Sequence, residues 1–263
     1  YVDLDEAVVL ELTDEQAASN TDWDLAFVGY DVLTNSGVSG PGDGGSFGPY
    51  SPVAFLSDTE PEVPFLLDDR NGGAFLRWYA YEGSIHAVWS RYHHYGIKDP
   101  SGATYKLQIL NFYGEIQGAP VSAVYQLRWA EVTDTGSGTV QTVTDLDGTA
   151  GGLAGGDDDP SGCIDLGTGE RTFHTVADSL EADDWHVCFR RDAISINGEE
   201  GGPRGVTAVD ITRTFAPDDR DLEFYKGLTP DSTRAAFDAL TLDDLEDPAL
   251  VSRGDRKVSA FGT

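Results

Sequence analysis

Methionine is absent from this sequence of 263 residues, and lysine occurs only four times, at Lys98, Lys106, Lys226 and Lys257. The lack of an initiator methionine predicts that Tyr1 is a processed or trimmed N-terminus from which any signal peptide has been removed. No run of about 20 apolar residues occurs, so no membrane-spanning helix is expected. Lysine and arginine total 17 against 46 acidic residues, and a net charge of −29 repels nucleic acid and anionic lipid.

Enough apolar material is nevertheless present for a folded core, because 40% of the residues are hydrophobic and 11% are aromatic. The acidic residues are spread along the whole chain. A high net charge keeps a protein soluble when salt screens its other electrostatic interactions. A halophilic origin is therefore one hypothesis, and an ordinary acidic secreted protein is the alternative.

Only two cysteines occur, Cys163 and Cys188, and each lies in an apolar, strand-like run. A single pair in a protein of export type predicts one disulfide that closes a loop of about 25 residues. Two buried free thiols are the alternative. Neither cysteine has the spacing of a zinc site.

The second half of the sequence repeats part of the first half. The motif Asp-Trp-Asp-Leu-Ala-Phe contains Trp23, which corresponds to Trp185 at an offset of 162 positions (185 − 23). Further on, Asp69 corresponds to Asp255 at an offset of 186 (255 − 69), so the second copy contains 24 extra residues (186 − 162). We therefore predict three parts: a module at 1–133, a Gly- and Asp-rich linker or long loop at 134–162, and a partial second copy of the front of the module at 163–263.

Most of the sequence predicts β structure. Apolar Tyr105 and Leu107 alternate with polar Lys106 and Gln108, which is the period of a strand. The extra residues of the second copy contain the best predicted helix, with Pro230 as its first residue after a threonine cap. We expect an all-β fold of antiparallel sheets with one short helix in the second half.

Residues at equivalent positions of the two copies are expected to play equivalent roles. Four aromatic residues are predicted to lie in the cores of corresponding strands: Trp23, Trp185, Phe27 and Phe189. Asn35 and Asn197 lie near glycines, and we predict turns there because Asn and Gly tolerate a positive φ.

Five motifs, taken in order along the chain, resemble those of the HmuY family of bacterial haem-binding surface proteins. They lie at residues 22–27, 33–40, 78–81, 105–113 and 125–129. The resemblance covers residues 1–133, with a weaker echo over 163–261. It implies an all-β, HmuY-like fold, a secreted or cell-surface location in the extracellular space or periplasm, and a role in iron acquisition. It also implies haem as the cofactor and an outer-membrane receptor as a partner.

Members of that family hold haem iron through two axial side chains, His or Met, and this sequence has no Met. Three of the five histidines, His86, His93 and His94, lie close together among aromatic residues that include Tyr92. Imidazole is a good axial ligand and aromatic faces pack against a macrocycle, so His86 with His94 or His93 is the candidate ligand pair.

An arginine near the candidate ligands, Arg77 or Arg91, is expected to pair with a haem propionate. The alternative is structural, because neighbouring residues of a strand point to opposite faces, which makes one of His93 and His94 an exposed or core-edge residue. The two remaining histidines, His174 and His186, belong to the second copy and are predicted to be structural.

Other chemistry is weakly indicated. Residues 144–148 (Thr-Asp-Leu-Asp-Gly) resemble the start of a calcium loop but lack its closing Glu, so a solvated acidic loop is the alternative. No nucleophile motif or phosphate-binding loop occurs, and we predict no enzymatic activity. The main alternative to haem binding is a non-catalytic structural or adhesive surface module, calcium-stabilised or self-associating by β-augmentation.

Overall fold

The computed structural model describes residues 1–29, 31–47, 66–216 and 220–258. The chain divides into two compact units, unit 1 (residues 1–71 and 257–263) and unit 2 (residues 72–256). The all-β class is confirmed, because 40% of the chain is strand in antiparallel sheets and 15% is helix in short segments. No helix among the described residues is long and apolar enough to cross a membrane.

Unit 1 is built on a small antiparallel sheet with strand order β2-β1-β3-β4. Its elements are β1 (Val2–Asp3), β2 (Val8–Val9), helix α1 (Asp14–Ala17), β3 (Leu25–Val28) and β4 (Asp31–Thr34). Helix α1 begins with a capping box, in which the Thr13 hydroxyl accepts a hydrogen bond from the Gln16 amide. Strand β5 (Arg70–Gly72) pairs with β18 (Arg256–Val258).

Unit 2 contains the long strands of the molecule. Its first elements are the 3₁₀ helix Ala74–Arg77, β6 (Tyr79–Glu82), β7 (Ala87–Ser90), β8 (His94–Lys98), β9 (Thr104–Ile116), β10 (Ala119–Thr133), β11 (Gly136–Ser137), β12 (Gln141–Asp147) and the 3₁₀ helix Gly152–Ala154. The remainder are β13 (Ser161–Ile164), β14 (Arg171–His174), α2 (Val176–Glu181), β15 (Val187–Arg190), β16 (Ala193–Ile196), β17 (Thr207–Asp210), α3 (Ile211–Phe215), α4 (Leu222–Lys226), α5 (Arg234–Ala239) and α6 (Leu242–Leu245).

Three sheets of unit 2 are antiparallel. The main sheet has the order β11-β10-β9-β8-β17 with β12 also paired to β10, the second-copy sheet has the order β14-β13-β15-β16, and β6 pairs with β7 as a hairpin. The main core lies between the first two of these sheets. Tyr125 of β10 contacts Phe189 of β15 there, with 4.6 Å between ring centroids.

Several short helices occur in the described part of the second half, where one was predicted. The helix predicted after Thr229 begins only at Arg234. The Thr229 hydroxyl caps a preceding turn instead, by accepting a hydrogen bond from the Ser232 amide at 3.1 Å. The end of the predicted second copy, residues 259–263, lies outside the described residues.

The segment at 134–162, for which the sequence predicts a linker or long loop, contains strand β12 of the main sheet. Val143 and Leu146 of this strand are buried in the main core. Exposed Thr144 and Asp145 separate them, and a shift in the pairing of β12 with β10 at this point lets residues three apart face the same side. The polar composition of the segment therefore hides a strand with one buried side.

The asparagines of the two copies make the same three hydrogen bonds. Asn35 donates from Nδ2 to the carbonyls of Asn20 and Trp23, and its Oδ1 accepts from the Gly42 amide at 3.0 Å. Turns follow both asparagines, and Gly37 has a positive φ of 53°, but neither asparagine does. The side chain bridges three backbone groups instead.

The second copy repeats this arrangement at the same offset. Asn197 donates to the carbonyls of Ala182 and Trp185 and accepts from the Arg204 amide at 2.9 Å. Gly202 lies directly against the side-chain amide of Asn197, because a Cβ added to this glycine would be 2.3 Å from Asn197 Oδ1. The shared motif therefore requires both a buried asparagine and a glycine at a close approach.

The aromatic residues of the two copies do not share one environment. Trp23 and Trp185 are both buried, as predicted, but Phe27 is 63% exposed whereas Phe189 is fully buried. The prediction of a core role for Phe27 is therefore wrong. Phe189 lies on the face of the second-copy sheet that packs on the main sheet, whereas Phe27 and Leu4 are exposed in unit 1.

The disulfide prediction is confirmed, because Cys163 and Cys188 are bonded and lie opposite each other on β13 and β15. They pack with Trp185 on the side of the sheet that faces away from the main core. The equivalent positions in the first copy are Tyr1 and Ala26, which pack with the equivalent tryptophan instead. A covalent bond in one copy thus replaces an apolar contact in the other.

The carboxylates at matching positions of the two copies have different hydrogen-bond partners. Asp69 accepts from the Thr34 backbone amide at 2.8 Å and also from its hydroxyl, whereas Asp255 accepts from the Ile196 amide at 3.1 Å. Because isoleucine has no hydroxyl, Asp255 lacks the second bond that Thr34 gives to Asp69. Burial, together with the charge of Glu199, raises the pKa of Asp255 to about 7.

We expect this carboxylate to make the protein less stable as the pH rises from about 4 to about 7, because over that range it is ionised only in the unfolded chain. Below about pH 4 it is protonated in both states, and above about pH 7 the full penalty for burying its charge is present. Asp255→Asn keeps an oxygen for the Ile196 amide and removes the titration. Urea denaturation across this pH range should show a smaller pH dependence in the variant, and an unchanged dependence would contradict the expectation.

Candidate functional site

A cavity of about 290 Å³ lies in unit 2 beside the β6–β7 hairpin. Its walls come from β7, β9, β10 and the segment that joins α4 to α5. It is lined by Val88, Trp89, Ser90, Tyr92, Leu110, Asn111, Tyr113, Gln126, Tyr225, Leu228, Thr229 and Pro230. A concave site with mostly apolar walls and a few polar groups is typical of small-molecule binding.

The Trp89 ring is fixed in orientation by charged neighbours. Its Nε1 donates to Glu82 Oε2 at 3.0 Å, and the Lys226 ammonium lies 5.8 Å from the ring centroid. Lys226 also forms an ion pair with Glu82 at 3.1 Å. The indole therefore presents a fixed apolar surface to the cavity.

Two tyrosines are held in place through their hydroxyl groups. The Tyr113 hydroxyl accepts from the Val88 amide at 2.8 Å, and the Tyr225 hydroxyl accepts from the Arg220 amide at 3.2 Å. The Arg91 guanidinium lies 5.3 Å from the Tyr225 ring centroid. These contacts restrict both rings, so little conformational entropy would be lost when a ligand binds.

Tyr92 lies at a bend of the chain with a φ of 54°. Its amide donates to Ser90 Oγ at 3.0 Å and its carbonyl accepts from Gln108 Nε2, which together hold this uncommon backbone conformation. Burial raises the pKa of Tyr92, and the charge of Arg128 only partly opposes this. The Tyr92 hydroxyl is therefore a neutral donor at physiological pH.

Gln126 lies where a bulge interrupts the pairing of β9 with β10. Bulges often redirect a side chain next to a functional site. The Gln126 amide lines the cavity and forms no hydrogen bond with the described residues. It is half-buried, so both its donor and its acceptor remain available to a ligand.

The cavity lining has no charged side chain among the residues that form it. It therefore holds neither a pair of carboxylates for acid–base chemistry nor a histidine. Its apolar rings and neutral polar groups suit reversible binding.

Only one residue of the predicted haem site, Tyr92, lines this cavity. Arg91 lies over the Tyr225 ring but is not part of the lining, and Arg77 is an exposed residue at the end of a 3₁₀ helix. His86 lies in the exposed turn between β6 and β7, where its Nδ1 is 2.6 Å from the Tyr81 hydroxyl.

The other two candidate ligands have protein partners. His93 is buried and its Nδ1 lies 2.7 Å from Asp210 Oδ2. The His94 ring lies 6.2 Å from that of Phe237, and burial lowers its pKa to about 4, with the charge of Arg128 adding to the effect. The cavity thus has no histidine to offer from either face, and the residues that line it do not fit a haem held there by two imidazoles.

The histidines of the second copy form polar contacts within unit 2. His186 Nδ1 accepts from the Leu166 amide at 3.0 Å, and its Nε2 lies 3.0 Å from Asp99 Oδ2. His174 Nε2 lies 2.9 Å from Asp184 Oδ1. These contacts are consistent with a structural role.

A metal site finds no support in the described part of the chain, where no three His, Cys, Asp or Glu side chains are grouped to hold an ion. In the segment 144–148, Asp145 pairs with Arg171 at 2.8 Å, and Asp147 accepts from the Thr149 amide. Calcium binding therefore stays a prediction.

The sequence alone predicts no binding role for Tyr113, Gln126 or Tyr225, although the first two lie within the motifs at 105–113 and 125–129. They lie far apart in the chain, and Tyr225 belongs to the extra residues of the second copy. The strand bulge that positions Gln126 has no recognisable sequence pattern. The extra residues of the second copy, in contrast, are visible in the sequence, and they form one wall of the cavity.

No protein-family model matches the chain, and no curated protein matches it at a significant level. The resemblance to the HmuY family, and with it haem binding through His86 and His94 or His93, stays a prediction.

Proposed function

We propose that this protein is a non-catalytic binding module of the cell surface or extracellular space that takes up a small ligand in the aromatic cavity of unit 2. The observation that carries this proposal is the cavity itself, where four aromatic rings surround neutral polar groups. The disulfide supports an oxidising environment outside the cytosol.

The composition of the cavity supports binding without catalysis. Hydrolysis of glycosidic or ester bonds requires a placed acid, base or nucleophile, and the lining offers only amides, hydroxyls and apolar groups. The rings are held by Glu82, Val88 and Arg220 before any ligand arrives. Such preorganisation favours affinity.

Haem remains the expectation from the resemblance, but charge and geometry give it less support. Haem carries two carboxylates, and the net charge of −29 disfavours the approach of an anion. No histidine lines the cavity to supply an axial ligand. A surface receptor and self-association also stay predictions.

The proposal is tested with N-phenylnaphthylamine, a neutral, flat probe that fluoresces in apolar surroundings. We expect saturable binding with one site per chain, lost in Leu228→Trp, whose indole fills the cavity from its half-buried rim. Leu180→Trp, an equal change at an exposed position of α2, is the control and should bind normally.

A parallel titration with haemin separates the two functions. A saturable, red-shifted Soret band that is lost in His94→Ala or His86→Ala, and retained in Leu228→Trp, would overturn the cavity proposal in favour of haem capture. Probe binding that is equal in both tryptophan variants would also overturn it.

A further inference from the structure

We infer that the ligand of the aromatic cavity is an uncharged sugar ring, and this inference rests on the function proposed above. A pyranose ring has apolar C–H faces and a rim of hydroxyl groups. The cavity has the complementary arrangement, with aromatic faces on its walls and neutral hydrogen-bonding groups between them.

The apolar part of the match comes from Trp89, Tyr113 and Tyr225. Their rings are held by hydrogen bonds at their polar ends. Lys226 and Arg91 lie over one face of the Trp89 and Tyr225 rings, so the opposite face of each is the one left for stacking. Leu110 adds a buried apolar side chain to the lining. A flat ring that stacks here loses contact with water on its C–H faces only.

The polar part of the match comes from groups with unused hydrogen-bonding capacity. The Gln126 amide has no partner among the described residues, and Tyr92 supplies a hydroxyl that burial keeps protonated. Asn111 Nδ2 donates to the Tyr113 carbonyl at 3.1 Å and retains a second N–H. One acceptor and several donors can therefore meet the hydroxyl groups on the rim of a sugar.

The charge of the molecule selects among sugars. The lining contains no cation to balance a carboxylate or sulfate, and the whole chain carries a net charge of −29. An acidic sugar would approach against this field and be desolvated without a partner. A neutral sugar is neither repelled by the net charge nor required to bury a charge without a partner.

The mouth of the cavity indicates how a longer glycan would enter. Thr229 and Pro230 form an exposed edge of the lining, and the Thr229 hydroxyl oxygen already accepts from the Ser232 amide. A sugar ring inside would leave its neighbours free to extend past this edge. We therefore expect an oligosaccharide to bind at least as tightly as the free monosaccharide.

The experiment uses the full chain, with cellotriose and glucose as neutral probes and trigalacturonate as the acidic counterpart, each competing with N-phenylnaphthylamine. We expect cellotriose to displace the dye, and trigalacturonate to bind at least about tenfold more weakly at low salt. Gln126→Leu and Tyr92→Phe should each weaken cellotriose by about tenfold, with the dye affinity of each variant measured first and used to convert displacement into the affinity of the sugar.

Gln141→Leu, at an exposed position of β12, is the matched control and should bind both molecules as the unchanged protein does. If the dye binds in the cavity but no neutral sugar displaces it, the sugar inference is overturned and the binding function stands. If the dye itself fails to bind, both are overturned. Tighter binding of trigalacturonate than of cellotriose at low salt would likewise overturn the sugar inference.

Discussion

Phe189→Ala is expected to destabilise the protein by about 3–5 kcal/mol, whereas Phe27→Ala should change its stability by no more than about 0.5 kcal/mol. The two residues occupy equivalent positions of the repeat, but Phe189 is fully buried against Tyr125 and Phe27 is 63% exposed. Removal of Phe189 leaves a cavity in the main core, and removal of Phe27 leaves none. Urea denaturation followed by circular dichroism measures both losses.

The pair of variants controls for chemistry, because both delete the same ring. Leu166→Ala and Leu4→Ala form a second pair, since Leu166 is buried and Leu4 is 58% exposed at equivalent positions. Equal losses within either pair would show that the face of unit 1 is covered as the face of the second copy is.

Asn197→Ala should cost about 3 kcal/mol or more, the second large effect that the structure predicts. The substitution removes three hydrogen bonds and leaves the carbonyls of Ala182 and Trp185 and the Arg204 amide without their partner. The site is buried, so water does not readily replace the lost amide. Thermal and urea denaturation give the loss.

The first copy supplies an independent test of the same motif. Asn35→Ala removes the equivalent bonds to the Asn20 and Trp23 carbonyls and the Gly42 amide, so it should weaken the packing of unit 1. A substitution at the exposed Gln141 serves as the control for both variants. A loss below about 1 kcal/mol for Asn197→Ala would mean that the bridging amide is not what holds the loop.

The strand prediction from alternation is correct for β9, but alternation does not say what lies over the polar side. Lys106 is fully buried, and its ammonium donates to the carbonyls of Asp238 and Leu240 at the end of α5. The Phe237 ring lies 4.9 Å from the same ammonium. A lysine in an alternating strand normally lies on the solvent-exposed face of the sheet. Here helix α5, in the extra residues of the second copy, covers that face at Lys106.

The repeat was the most reliable signal in the sequence, because it predicted which positions are equivalent in the fold. It did not predict the environment of each position. Phe27 and Phe189 are identical residues on matching strands, and only the sheet that packs over one of them makes it a core residue. Local sequence determines the strand, whereas burial depends on distant segments.

The candidate site was least accessible to prediction. The cluster of His86, His93 and His94 predicted a metal-binding region, but each side chain lies within hydrogen-bond distance of another residue: Tyr81, Asp210 and Thr212, respectively. The aromatic richness of the same segment was the useful part of the signal, since Trp89 and Tyr92 line the cavity. The other lining residues are brought to the cavity by the bulge at Gln126 and by the segment that joins α4 to α5. Sequence spacing reveals neither feature.

The unequal burial of the two copies also determines how freely each can diverge. A duplicated sheet begins with two identical sets of residues, yet substitutions at Phe189 are restricted by the packing around it, while the exposed Phe27 is restricted far less. The disulfide adds to this asymmetry, because Cys163 and Cys188 constrain each other and their first-copy counterparts do not. Substitutions at the exposed positions of the first sheet should therefore accumulate without loss of folding, so a new surface property can evolve there more readily than on the matching face of the second copy.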